Sequence, residues 1–123
     1  MKSNNIIEVK SFEFAARIVR LYRHMVENKK EFVLSKQLLR SGTSIGANVN
    51  EGLQGFSKKD FIAKMSISLK EAQETSYWLR LLKETDYITE DEFNSIHLTL
   101  IEIIKILTSI LKTSRSNLIP NQS

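Results

Sequence analysis

The chain has 123 residues, 18 of them basic and 14 acidic, for a formal net charge of +4, and it contains no cysteine. That length suits one domain able to bury about two thirds of its unfolded surface. Thiol catalysis, disulfides and thiolate metal sites are excluded, two histidines make no zinc site of the usual kind, and the charge balance permits an anionic partner without requiring one.

No run of 18 apolar residues occurs, so no segment is expected to span a membrane and no membrane partner is expected. The opening MKSNNIIEVKSFEF has no cleavable apolar stretch of the secretory kind, which points to the cytoplasm. The only proline is Pro120, and no Pro or Gly interrupts the chain from Phe56 to Ile119. Helix is the reading consistent with that punctuation.

The first helix is expected over Phe12 to Asn28, N-capped by Ser11, with an apolar stripe of Phe14, Ile18, Leu21, Tyr22, Met25 and Val26. The segment Glu27 to Glu31 reads as a polar connection. The second helix is expected over Ser35 to Glu51. Its large apolar residues, Leu34, Leu38, Ile45 and Val49, are separated by Ser41, Gly42, Thr43, Ser44, Gly46 and Ala47. Such a segment is a weak isolated helix, so tertiary contacts must hold it, and its small side chains let another backbone come close.

The third helix is expected over Lys58 to Glu84, capped by Ser57, with Phe61, Met65, Ser68, Leu69, Ala72, Ser76, Leu79 and Leu82 on one broad face. The fourth is expected over Glu90 to Thr113, opened by a Thr89–Glu92 capping box. Its core stripe is Phe93, Ile96, Leu100, Ile103, Leu107 and Ile110. Leu98, Ile101, Ile104, Ile106 and Leu111 add apolar surface beyond that stripe, which points either to a subunit interface or to a centrally buried helix. Short connections make successive helices antiparallel. The fold expected is all-α, an antiparallel up-and-down four-helix bundle over residues 11–114, with an arm at 1–10 and a tail at 115–123.

Two groups of residues are candidates for function. Gln37, Arg40, Ser44, Asn48 and Glu51 recur at spacings of three and four and share one face of the second helix. Arg40 and Glu51 are about 16 Å apart along that helix at 1.5 Å per residue, so each needs a partner elsewhere. Arg40 either grips an anionic ligand or belongs to an ion-pair network between helices or subunits. In the second case, removing it should cost about 2–5 kcal/mol. Arg17, Arg20, Arg23, Lys29, Lys30, Lys58, Lys59 and Lys64 are candidate nucleic-acid contacts, with a solvated helix surface as the alternative. No Glu-x-x-His pattern, phosphate loop, dinucleotide fingerprint or metalloprotease motif occurs, so neither cofactor nor metal nor enzymatic activity is expected.

The stretch LSKQLLRSGTSIGANVNEG, Leu34 to Gly52, resembles the signature of the 23S rRNA intervening sequence protein family, also labelled S23 ribosomal protein. Lys58 to Ile88 and Ser11 to Tyr22 continue the likeness, which covers roughly residues 8 to 114. Gln37, Arg40, Ser41, Ser44, Ile45, Asn48, Glu51 and Gly52 fall where the family pattern puts them. The resemblance implies a four-helix bundle and a homo-oligomer, since homopentameric rings are known among members. A similar fold serves as the accessory protein of diversity-generating retroelements, beside a reverse transcriptase and nucleic acid. Residues and resemblance together lead to the expectation of a non-enzymatic, self-assembling scaffold or adaptor. It would bind RNA or a nucleic-acid-associated protein through a basic surface. The alternative is a protein-interaction module with no nucleic-acid ligand.

Overall fold

The computed structural model describes residues 2–118. It contains α1 (Lys2–Asn28), α2 (Leu34–Leu53), α3 (Lys58–Glu84) and α4 (Glu90–Leu118). Cross-helix contacts set the register. Gly42 meets Ile18 and Gly46 meets Ser11 between α2 and α1. Arg40 meets Glu74 and Lys64 meets Glu51 between α2 and α3. Ser76 meets His97 and Ser66 meets Arg115 between α3 and α4, and Lys10 meets Glu102 and Arg17 meets Ser95 between α1 and α4. In each pair the numbers rise on one helix as they fall on the other. The molecule is thus an all-α, up-and-down antiparallel four-helix bundle in which α4 closes against α1.

The core follows the helical period. Ile7, Phe14, Ile18 and Met25 of α1 meet Leu38, Ile45 and Val49 of α2. Met65, Ala72, Leu79 and Leu82 of α3 and Ile96, Leu100, Ile103, Leu107 and Ile110 of α4 complete the cluster. By length and hydropathy α4 could cross a bilayer, but the buried part of its apolar surface belongs to this bundle core.

Three expectations about boundaries need correction. Residues 2–10 form no arm: α1 begins at Lys2, and Ile7 is fully buried. Ser11 is no cap but a buried mid-helix residue whose Oγ donates to the Glu8 carbonyl at 3.3 Å. Ile7 extends the Phe14–Ile18 stripe by two turns, and that tertiary burial outweighs the polar, weakly helical start of the chain. Residues 115–118 continue α4, with Arg115 Nη2 donating to Ser66 Oγ at 3.0 Å. The remaining positions of the expected tail, 119–123, lie outside the described residues.

Local chemistry explains the helix ends. Ser57 accepts from the Asp60 N–H at the start of α3. Thr89 and Glu92 form the expected reciprocal box, Glu92 N–H to Thr89 Oγ1 at 3.1 Å and Thr89 N–H to Glu92 Oε1 at 2.7 Å. α3 ends in a Schellman motif built on Asp86 rather than glycine. Asp86 takes φ 67°, the Tyr87 N–H donates to the Leu82 carbonyl, and the Asp86 N–H donates to that of Lys83.

The supposed polar connection before α2 contains its cap. Glu31 is buried, and its carboxylate accepts from the N–H groups of Val33, Leu34 and Ser35 at 3.0, 2.9 and 2.7 Å. Ser35 Oγ in turn donates to the Glu31 carbonyl at 2.7 Å. Burial pushes the Glu31 carboxyl up, but the backbone donors outweigh it and hold the group below its ordinary value. Three of the otherwise unpaired amides at the head of a weak helix are satisfied this way.

Candidate functional site

The small residues of α2 first serve packing. A Cβ at Gly42 would stand 2.8 Å from Ile18 Cγ1, and one at Gly46 would stand 3.2 Å from the Ser11 carbonyl oxygen, so α1 lies close on α2. On the α3 side, Ser68 Oγ donates to the Ile45 carbonyl at 2.8 Å and Thr75 Oγ1 donates to Ser41 Oγ at 3.0 Å. These hydroxyls are buried and bonded within the bundle.

The α2 face of Gln37, Arg40, Ser44, Asn48 and Glu51 borders α3. Arg40 Nη1 lies 3.4 Å from Glu71 Oε1, and its Nη2 pairs with Glu74. Glu74 also accepts from Trp78 Nε1 at 3.0 Å. Glu51 pairs with Lys64 at 2.8 Å. Ser44 Oγ donates to the Arg40 carbonyl and Asn48 Nδ2 to the Ser44 carbonyl, while Gln37 is exposed. The two charges that could not reach each other are each matched from α3. Arg40 keeps half of its side chain in solvent, so the expected loss of about 2–5 kcal/mol does not apply. An exposed pair contributes about 1 kcal/mol or less.

The basic residues do not gather on one surface. Arg17 donates from Nη2 to Ser95 Oγ at 3.0 Å and from Nη1 to Thr99 Oγ1 at 3.3 Å, in a cleft that Asp91 and Glu92 also line. Lys64 is paired with Glu51. Lys29 and Lys30 follow the end of α1, whereas Lys58 and Lys59 open α3 at the opposite end of the bundle, about 40 Å away for a helix of this length. Arg20 and Arg23 are exposed and make no ion pair among the described residues. Nor does any group of three His, Asp or Glu side chains fit for a metal occur among them.

Part of α4's extra apolar surface is used inside the chain. Leu111 is buried, Ile104 and Ile106 pack on the core, and Leu98 stands exposed. An exposed apolar stripe lies on α1 instead. Ile6, Val9 and Phe12 recur every three residues along it, and Phe12 is 75% exposed. Val9 and Phe12 border a groove of about 650 Å³ between α1 and α2, floored by Ala15, Thr43, Gly46 and Ala47 and rimmed by Glu8, Glu13 and Asn50. A helix expected from Phe12 onward leaves Ile6 and Val9 outside it, so the i, i+3 repeat that borders this groove does not show in the sequence.

A second feature lies at the α3–α4 edge. Tyr77, Arg80, Lys83 and Phe93 line a shallow cleft. Arg80 stands 5.9 Å over the Tyr77 ring and Lys83 4.8 Å over that of Phe93, which stacks on His97. Burial, then Arg80 and Lys83, hold His97 below its ordinary value.

Comparison with known proteins places the chain. The family model described as 23S rRNA-intervening sequence protein matches residues 3–109. The chain belongs to this family. Within it, a crystal structure from Bacteroides thetaiotaomicron, described as a protein with unknown function from the S23 ribosomal protein family, is 55% identical. That likeness has a TM-score of 0.88 and covers 89% of this chain and 98% of the other. No curated protein matches the chain. The likeness agrees with the four helices described above.

Proposed function

We propose that the chain is a non-enzymatic scaffold or adaptor of the cytoplasm that assembles with copies of itself, in the homopentameric form that the family resemblance implies. The observation that carries this reading is the exposed Ile6–Val9–Phe12 stripe beside the α1–α2 groove. A contiguous apolar surface with a charged rim is the usual mark of a protein–protein contact. Size-exclusion chromatography with light scattering on the unmodified chain and on Phe12→Ser tests it. An assembled mass for the first and a smaller mass for the second are expected. Equal single-chain masses for both would refute self-assembly.

The Tyr77–Arg80–Lys83–Phe93 cleft favours a second reading, in which the scaffold also holds RNA. Cations beside aromatic faces suit unpaired bases and their phosphates, and this edge joins the two more closely than α1 does. Filter binding of single-stranded RNA at low salt should then weaken at least about tenfold in Arg80→Ala/Lys83→Ala, with a reduced salt dependence. Binding that stays undetectable at low salt would leave the module with protein partners alone.

A further inference from the structure

Resting on the self-assembly reading, we propose that the α1–α2 groove receives Phe56 of a second copy of this chain, head to tail. In this contact Lys58 and Lys59 of the incoming copy lie beside Glu8 and Glu13.

Charge decides the symmetry of the contact. The groove is lined by Glu8 and Glu13 and by no basic residue. A two-fold contact that laid one groove on another would bring four carboxylates together around a closing apolar surface, which costs several kcal/mol in like-charge juxtaposition. The occupant must therefore bring an apolar side chain with cations next to it. The turn between α2 and α3 carries that combination in Gly55-Phe56-Ser57-Lys58-Lys59. Phe56 is 101% exposed, so within its own chain it fills nothing, and both lysines are exposed.

The positions fit a side-by-side arrangement. Phe56 lies just past the C-terminus of α2, at the same end of the bundle as Val9 and Asn50 of the groove. Ala47 on the groove floor is about 10–15 Å from that turn along the axis, at 1.5 Å per residue. A neighbour displaced by that amount keeps the bundles alongside one another, and a knob and a hole on different surfaces make a heterologous contact, which closes into a ring when the bundles tilt so that the displacement does not accumulate. Phe32 and Val33, also exposed and near Lys29 and Lys30, lie at the far end and would stack bundles end to end.

The experiment uses two full-length variants, Phe56→Ser, which lacks the knob, and Ala47→Arg, which fills the groove. Both positions are exposed, so helicity by circular dichroism should match that of the unmodified chain. Each variant alone is expected to sediment as a single chain, or to need at least tenfold higher concentration to assemble. Mixed in equal amounts, they retain one competent contact between them and should form a 1:1 pair that grows no further. Combining Glu13→Lys with Lys59→Glu should restore assembly that either change weakens. Three results would overturn the proposal: Phe56→Ser assembling like the unmodified chain, the mixture remaining single chains, or Phe32→Ser dissociating the assembly while Phe56→Ser does not. In each of these the self-assembly reading survives if the unmodified chain is assembled. An unmodified chain that is single at all concentrations overturns both.

Discussion

Gly42→Ala should destabilise the bundle even though it introduces the best helix former. The added Cβ would lie 2.8 Å from Ile18 Cγ1 and 2.9 Å from Cγ2. Ile18 is fully buried and β-branched, so its side chain has little room to rotate away. Overpacking of this kind costs about 1–3 kcal/mol, against an intrinsic helical gain of about 1 kcal/mol, leaving a net loss of about 0–2 kcal/mol. The coupling is the sharper quantity. Ile18→Ala removes both Cγ atoms, at a cost of about 2–5 kcal/mol by itself. In that background Gly42→Ala should recover the helical gain of about 1 kcal/mol. Urea unfolding of the four chains, followed by the fluorescence of Trp78 at one fixed protein concentration, should give a coupling of about 1–3 kcal/mol. If Gly42→Ala stabilised both backgrounds equally, Gly42 would not set the α1–α2 distance, and the packing account of the small-residue signature would fail.

Further outcomes follow from the caps and the ion pairs. Glu31→Ala should lower stability by about 1–2 kcal/mol, by leaving α2's first amides unpaired. Because the folded Glu31 carboxyl sits below its ordinary value of 4.5, its contribution is full above that pH. It is lost as pH falls from there through the folded value, so acid titrations of Glu31→Ala and the unmodified chain should converge below pH 4.5. Arg40→Ala should cost about 1 kcal/mol or less in thermal melts and leave the assembled mass unchanged. A larger loss would mean that Arg40 is buried at a contact between copies.

Much of the bundle was legible in the sequence because its signals are local and repeated. Ser57 caps α3, the Thr89–Glu92 box opens α4, and the buried positions of α4 follow its 3.6-residue period. The start of α1 was illegible because Ser11, before an apolar stripe, looks like a cap. Only the burial of Ile7 against other helices shows that the helix runs through it. Glu31 was hidden for a related reason: a carboxylate capping three amides four residues or fewer downstream looks like any charge in a polar connection. The separation of Arg40 and Glu51 along α2 shows that each needs a partner, but those partners, Glu71, Glu74 and Lys64, depend on the α2–α3 register, which no single helix encodes. The same holds for the groove, whose floor and wall come from two helices. Its exposed stripe of Ile6, Val9 and Phe12 takes shape only in a helix that begins at Lys2.

If copies of this chain meet through the α1–α2 groove, a single thiol placed there reports on the contact. The chain contains no cysteine, so Ala47→Cys places one small reporter in the groove and Gln73→Cys places another on the exposed surface of α3, which does not line it. Labelling rates of the two thiols are measured from sub-micromolar to high-micromolar protein concentration. The Ala47→Cys thiol should become at least tenfold slower to label as concentration rises, while the Gln73→Cys thiol keeps its rate. An Ala47→Cys thiol that labels at one rate throughout, as the control does, would contradict that contact.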